Sequence, residues 1–162
     1  MRELDRVQIL RAVVPALQED LRDWRPDAGA DEAATGRGQV VAQSHGVVAG
    51  LAVARETLSR VGVRMREVRR DGDVVRPGER IAEVGGPVRA IEAAGGTALR
   101  FLSEMSRLAT RGDRPERSNL PPDLADYALQ IGEHAAALRS QPAPAPVATG
   151  QNGVDFAIEV EA

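Results

Sequence analysis

The chain has 162 residues, 43% of them hydrophobic and 28% charged, with a formal net charge of −3. This length fits one compact domain with accessory segments, and the net negative charge argues against nucleic-acid binding, which normally needs a basic stripe. All 21 basic residues are arginine and there is no cysteine. Lysine Schiff bases, attached lipoyl or biotinyl groups, disulfides and thiolate metal sites are therefore excluded. No apolar run approaches the ~20 residues that span a bilayer, and we expect a cytoplasmic protein.

The N-terminal third predicts helices around one short strand. Residues 4–23 carry apolar side chains at three- and four-residue spacing, which is typical of an amphipathic helix. Pro15 lies inside this run, so we expect two short helices or one bent helix. Residues 24–38 predict a loop, residues 39–44 a strand, and residues 47–61 a packed helix rich in small side chains. The predicted apolar face of the first helix consists of Val7, Leu10, Val14, Leu17 and Leu21.

The middle of the chain changes to the pattern of short strands. Residues 63–86 predict three strands joined by turns at residues 71–72 and 77–78, where glycine follows aspartate or proline. The last strand covers residues 80–84. Residues 85–87 (GGP) form either a tight turn into the next helix or a place where backbone N–H groups approach a phosphate, and we favour the turn.

The C-terminal half predicts two more helices and a final strand. Residues 88–111 form the second major helix, in one piece or in two around residues 95–96, and residues 123–139 form a third helix. A Pro-rich linker covers residues 141–153. Residues 154–160 alternate as a strand does, but the strand needs a partner.

Several motifs occur in a fixed order along residues 10–111. They are residues 16–21 (ALQEDL), 46–54 (GVVAGLAVA), 71–79 (DGDVVRPGE) followed by Gly86-Pro87, 97–102 (TALRFL) and 108–110 (LAT). In this order and at these spacings they resemble the N-terminal domain of quinolinate phosphoribosyltransferases. The resemblance implies a domain that covers a catalytic barrel on a neighbouring subunit of a dimer.

The departures from the family pattern concern its chemistry. The family places an arginine directly before the TAL motif, and the resemblance implies that this arginine binds substrate in the neighbouring active site. Here Gly95 and Gly96 occupy the Glu-Arg positions, Arg100 stands where the family has asparagine, and Arg107 replaces a glycine. The barrel, with its Arg-Lys-Thr start, has no counterpart after residue 111. Loss of one arginine–carboxylate contact costs about 1.5–3 kcal/mol.

Three arginines on one side of the second major helix are the candidate substrate- or anion-binding residues. The alternative is a solvated ladder of salt bridges within the helix, through Glu104, and we favour this alternative. We predict no catalytic residue and no metal site, because His45 and His134 are isolated. We expect no cofactor, except magnesium with phosphoribosyl pyrophosphate if the chain takes part in the family's reaction. The three candidates are Arg100, Arg107 and Arg111.

Together these observations predict an α+β fold: a small antiparallel sheet with helices packed on one face, plus a C-terminal helix and an extended tail. Residues 1–112 form the phosphoribosyltransferase-like domain, residues 113–140 a linker and accessory helix, and residues 141–162 a Pro-rich linker and short strand. A domain without its barrel exposes an apolar surface. The expected cover is a second copy in a homodimer, the chain's own third helix, or a barrel-containing phosphoribosyltransferase; neither nucleic acid nor membrane is an expected partner.

Two functions remain open. The first is a degenerate, stand-alone relative without catalytic activity, which serves as an interaction, regulatory or scaffold module. The second is a part of a nicotinate-nucleotide diphosphorylase (carboxylating) in NAD biosynthesis, working with a separate barrel-containing subunit. Because Gly96 replaces the implied substrate-binding arginine, we favour the first and expect the chain alone to be inactive.

Overall fold

The computed structural model describes residues 3–24, 34–112, 118–138 and 155–161. Within these ranges no helix is both long and apolar enough to cross a membrane. The elements in chain order are α1 (Arg6–Asp20), β1 (Thr35–Ala42), β2 (Gly46–Val47), α2 (Leu51–Ser59), β3 (Arg64–Glu67), β4 (Val74–Val75), β5 (Arg80–Pro87), α3 (Val88–Arg111), α4 (Pro122–Leu138) and β6 (Phe156–Glu161).

Helix α1 is one uninterrupted helix, so the expectation of two short helices is wrong. Asp5 caps its N-terminus in a capping box with Gln8. Pro15 lies on the exposed side, beside the exposed Arg11. The Arg11 carbonyl, which loses its helical partner at Pro15, therefore lies on the solvent side, where water can satisfy it. The predicted apolar face is also shifted, because Val7 is 57% exposed while the buried positions are Ile9, Ala12, Val13 and Leu17.

Four antiparallel strands form the main sheet, in the order β3-β5-β1-β6. The strand predicted at residues 154–160 is confirmed as β6, and its partner is β1. Strand β1 begins at Thr35, inside the predicted loop, because residues 35–37 pair with residues 85–87 of β5. This pairing also makes Gly85 and Gly86 part of a strand, so the predicted tight turn is wrong. Strands β2 and β4 form a separate two-stranded sheet.

Helix α3 is the centre of the helical layer and contacts both sheets and the other three helices. It is continuous through Gly95 and Gly96, so the option of two pieces is wrong. Helix α2 crosses it closely at Gly50, where an added Cβ would lie 2.8 Å from Sδ of the fully buried Met105. Gly50 also has a φ of +101°, which glycine adopts readily. The predicted α+β fold, with helices on one face of a small antiparallel sheet, is confirmed.

Helix α4 covers part of α3. Gly132 lies directly against the backbone of Ala109, with no room for a side chain, and Leu124 and Ile131 are fully buried. In the part of the chain that the structure describes, the large hydrophobic residues that are exposed are Val7 in α1, Val68 after β3 and Val160 in β6. The expected broad apolar surface is therefore not found there. The division of the chain into three segments stays a prediction, and the linker at 141–153 lies outside the described residues.

Candidate functional site

The C-terminal end of α1 meets α3 at a partly buried polar contact. Oδ2 of Asp20 accepts a hydrogen bond of 2.7 Å from Oγ1 of Thr97 and one of 2.8 Å from Nη2 of Arg100. Thr97 is only 3% exposed, while the side chain of Asp20 is 28% exposed. The pKa of Asp20 is lowered, chiefly by the Thr97 hydrogen bond and also by the charge of Arg100, against the opposing effect of burial. This carboxylate is therefore held in its ionised form by two groups of α3.

The three candidate arginines do not converge on one point. Arg100 is engaged by Asp20, and its ion pair runs to α1 instead of along α3 to Glu104. Arg107 is partly buried, and Arg111 is exposed in the last turn of the helix. Since a helix rises 1.5 Å per residue, Arg100 and Arg111 are about 16 Å apart along the axis. An anion bound by all three side chains would have to draw Arg100 away from Asp20.

The two glycines that replace the family's Glu-Arg pair have different surroundings. Gly95 is buried, and a Cβ there would lie 3.1 Å from Cδ1 of Ile158 in β6. Gly96 is exposed, and an added Cβ would have no neighbour within 4 Å. Packing thus explains the small residue at Gly95. Packing does not explain Gly96, where glycine costs about 1 kcal/mol of helix stability relative to alanine.

Two hydroxyl groups of α3 hold the segment before α2. The hydroxyl of Ser106 accepts from the N–H of Ala49 (3.0 Å) and donates to its carbonyl (3.2 Å). Oγ1 of Thr110 accepts from the N–H of Val47 at 2.8 Å. Two of the motifs that carry the resemblance, residues 46–54 and 108–110, therefore touch each other and have a structural role.

Helix α4 is fixed by a polar contact that the sequence did not predict. The hydroxyl of Tyr127 donates to Oδ2 of Asp71 at 2.7 Å, and Oδ1 of Asp71 accepts from the N–H of Leu51 at 3.1 Å. Asp71 thereby supplies the N-terminal cap that Gly50 cannot give to α2. Burial, with the charge of Asp71 as the next cause, raises the pKa of Tyr127 above its ordinary value.

No group of three or more His, Asp or Glu side chains suited to a metal ion occurs within the described ranges. His45 is partly buried beside β2, and His134 is exposed on α4.

Glu79, another carboxylate of the 71–83 hairpin, stabilises the turn in which it lies. Glu79 accepts from the side chain of Arg69 at 2.6 Å and from the N–H of Arg76 at 3.1 Å, which fixes the turn before β5.

Comparison with known proteins decides the family. A sequence model of the quinolinate phosphoribosyl transferase N-terminal domain matches residues 23–106, which is just over half of the chain. The chain belongs to this family. A probable nicotinate-nucleotide pyrophosphorylase (carboxylating) from Bacillus subtilis (strain 168) is 32% identical over 74 residues, which cover 44% of this chain and 26% of that protein.

Solved structures agree with this membership. NadC from Streptococcus pyogenes superimposes with a TM-score of 0.71 at 25% identity, covering 82% of this chain and 54% of that one. The nicotinate-nucleotide pyrophosphorylase from Francisella tularensis gives a TM-score of 0.69 at 20% identity, and this likeness concerns the fold alone. The chain spans about half the length of these solved relatives and about a quarter of the curated one.

The three arginines predicted as candidate site residues lie on α3, and their role stays a prediction. The contact between Asp20 and α3 was not predicted from the sequence. Asp20 lies in the 16–21 motif and its two partners lie in the 97–102 motif. The co-occurrence of these two motifs in one resemblance was the available signal. Tyr127 and Asp71 offered no such signal, because Tyr127 lies outside the region of resemblance.

Proposed function

We propose that this chain is a non-catalytic interaction or scaffold module of the cytoplasm, built on the quinolinate phosphoribosyl transferase N-terminal fold. The proposal rests on the residues that α3 presents at and near position 96. The position where the resemblance implies a substrate-binding arginine is an exposed glycine, and the nearby Arg100 is paired with Asp20.

The chemistry of the family's reaction supports this reading. Phosphoribosyl transfer needs several cations around a pyrophosphate leaving group and a clamp for the acceptor's carboxylates. On α3, Arg107 and Arg111 lie one turn apart, but Arg100 is already engaged by Asp20. A site that lacks one arginine–carboxylate contact loses about 1.5–3 kcal/mol, which is roughly ten- to a hundredfold in affinity.

A second candidate function follows from the relatives. The curated relative and one solved relative are named as nicotinate-nucleotide pyrophosphorylases. On this reading the chain is one part of a carboxylating pyrophosphorylase in NAD biosynthesis, a separate barrel-containing subunit supplies the remaining groups, and magnesium enters with phosphoribosyl pyrophosphate. A homodimer is the expected assembly for the first function, and a complex with the barrel subunit for the second.

Calorimetric titration of the chain with quinolinate, and with phosphoribosyl pyrophosphate plus magnesium, tests the first function. We expect no saturable heat from the wild type that depends on Arg107 or Arg111. Gly96→Arg restores the implied cation at a position with open space around it, and Gly96→Ala is the matched control, because it gives the same helix stabilisation without the charge. Micromolar binding by the wild type that Arg107→Gln or Arg111→Gln weakens would contradict the non-catalytic proposal.

Reconstitution tests the second function. The chain is produced together with the barrel half of the Bacillus subtilis relative, and the formation of nicotinate nucleotide from quinolinate is measured. Activity that requires this chain, together with a mixed complex by light scattering, would establish the split enzyme. A homodimer with no activity in the mixture would leave the scaffold function.

A further inference from the structure

The face of the main sheet opposite the helices carries an ordered set of charges. Because side chains alternate along each strand, the register places residues of four strands in two rows on this face. One row runs Arg64, Gly85 and Arg37 across β3, β5 and β1. The neighbouring row runs Arg66, Glu83, Gln39 and Glu159.

Gly85 leaves a gap between two arginines. Neighbouring strands are about 4.8 Å apart, so the Cα atoms of Arg37 and Arg64 lie about 10 Å apart on either side of Gly85. A Cβ on Gly85 would meet only the carbonyl oxygen of Gly36, at 3.9 Å. The gap belongs to a concavity of about 510 Å³, which Arg37, Arg64 and Gly85 line together with the other row. Its volume lies in the range of small-molecule sites.

The ion pairs on this face involve Glu83 and leave out Arg37 and Arg64. Glu83 accepts from Arg66 at 2.7 Å and from Arg80 at 3.3 Å, so its negative charge is already balanced. Among the residues that the structure describes, Arg37 and Arg64 take part in no ion pair. The charged side chains that line the concavity are three arginines (Arg37, Arg64 and Arg66) and two glutamates (Glu83 and Glu159), so this lining has an excess of one positive charge, although the whole chain has a net charge of −3.

We propose that Arg37 and Arg64, on either side of Gly85, form a binding site for a small organic anion that carries a carboxylate or phosphate group. Each guanidinium presents a planar fork of N–H donors that matches such an anion, and both arginine side chains are long enough to reach a group above Gly85. This site is on the opposite side of the sheet from α3. It is therefore independent of the proposed function and of Arg100, Arg107 and Arg111.

A second copy of the chain suits this face less well. Four strands about 4.8 Å apart, each contributing four or five residues of length, give this face a geometric area of roughly 300 Å² per copy. A stable interface buries about 800 Å² per partner and has an apolar centre. The face is smaller than that and lined largely by charged and polar side chains. A small ligand, in contrast, needs only the gap and the two cations.

Titration of the full chain with succinate and with inorganic phosphate, followed by backbone N–H resonances at low ionic strength, tests the site. We expect saturable shifts at residues 36–38, 64–66 and 85. Arg37→Gln and Arg64→Gln should each weaken binding about tenfold or more, because each removes one charge-assisted contact. Arg11→Gln, an exposed arginine on α1, is the matched control and should leave the affinity unchanged. The preference between the two probes identifies the carboxylate or the phosphate as the recognised group.

Three results would overturn the proposal. One is the absence of saturation for both probes. Another is equal weakening by Arg11→Gln, which would indicate unspecific screening of the whole surface. The third is a set of shifts at the same residues that follows protein concentration without any anion, which would identify the face as an interface between two copies. Any quinolinate binding that depends on Arg37 and Arg64, but not on Arg107 and Arg111, belongs to this site.

Discussion

The carboxylate of Asp20 joins α1 to α3, and the contact stabilises the fold when this carboxylate is ionised. Its pKa is lowered in the folded state, so the stabilisation is fully present above the pKa of the unfolded chain, about 3.9, and disappears as the pH falls through the folded value. Asp20→Asn should therefore reduce the free energy of unfolding by roughly 1 kcal/mol at pH 7, a value discounted for partial exposure. Thermal unfolding of the two proteins at pH 7 and well below pH 3.9 measures the difference.

Glu19→Gln is the control for this prediction, because Glu19 is the exposed neighbour and forms only a 3.8 Å pair with Arg22. Its effect should be within a few tenths of a kcal/mol at neutral pH. A deficit of Asp20→Asn that has the same size at acid pH would show that the ionised carboxylate is not what stabilises the contact.

At the scale of elements, Tyr127 connects α4 to the N-terminus of α2 through Asp71. Its pKa is raised, so the hydrogen bond stabilises the fold fully below the ordinary tyrosine value of about 10 and is lost only as the pH rises further. Tyr127 is the single tyrosine and the chain has no lysine. Alkaline titration at 295 nm should therefore show a phenolate that forms above pH 10, together with unfolding. Tyr127→Phe should cost about 1 kcal/mol at pH 7, and a titration midpoint at the ordinary value would contradict the buried contact.

Local patterns predicted most of the elements, because turn chemistry and periodicity act over a few residues. The turns at residues 71–72 and 77–78 are present, with Gly72 and Gly78 at φ values of +98° and +89°, and the strands around them are confirmed. Errors arose where distant residues decide. Residues 35–37 have the composition of a loop, and they form a strand because they pair with β5. Pro15 is tolerated inside α1 because the helix buries the opposite side.

The candidate site was less predictable than the fold for the same reason. Spacing placed Arg100, Arg107 and Arg111 on one side of a helix, which the structure keeps. Spacing could not indicate that Asp20, 80 residues earlier, would engage Arg100. Nor could it indicate that Gly85 would separate two arginines, since that juxtaposition depends on the register of three strands.

At the scale of the whole molecule, the C-terminal quarter completes both layers. Helix α4 packs on α3, and β6 forms the edge of the sheet beside β1, with Phe156 only 7% exposed. Through Ile158, β6 also contacts Gly95 of α3, at the position where the resemblance places a glutamate. The close packing of β6 on α3 therefore requires a small residue at position 95.

This contact predicts an energetic coupling between the two elements. Gly95→Glu forces Ile158 to move and places a charge at a buried position, so it should lower the free energy of unfolding by about 2 kcal/mol or more. Ile158→Ala removes the obstacle, so the double variant should lose at least about 1 kcal/mol less than the sum of the two single losses. Urea unfolding of the four proteins measures this difference.

Gly96→Glu is the matched control, because the same side chain one residue later meets nothing within 4 Å. Its effect should add to that of Ile158→Ala without coupling. Additive losses for Gly95→Glu as well would mean that β6 does not rest on α3 at this point, and Gly95 would then need the same explanation as Gly96.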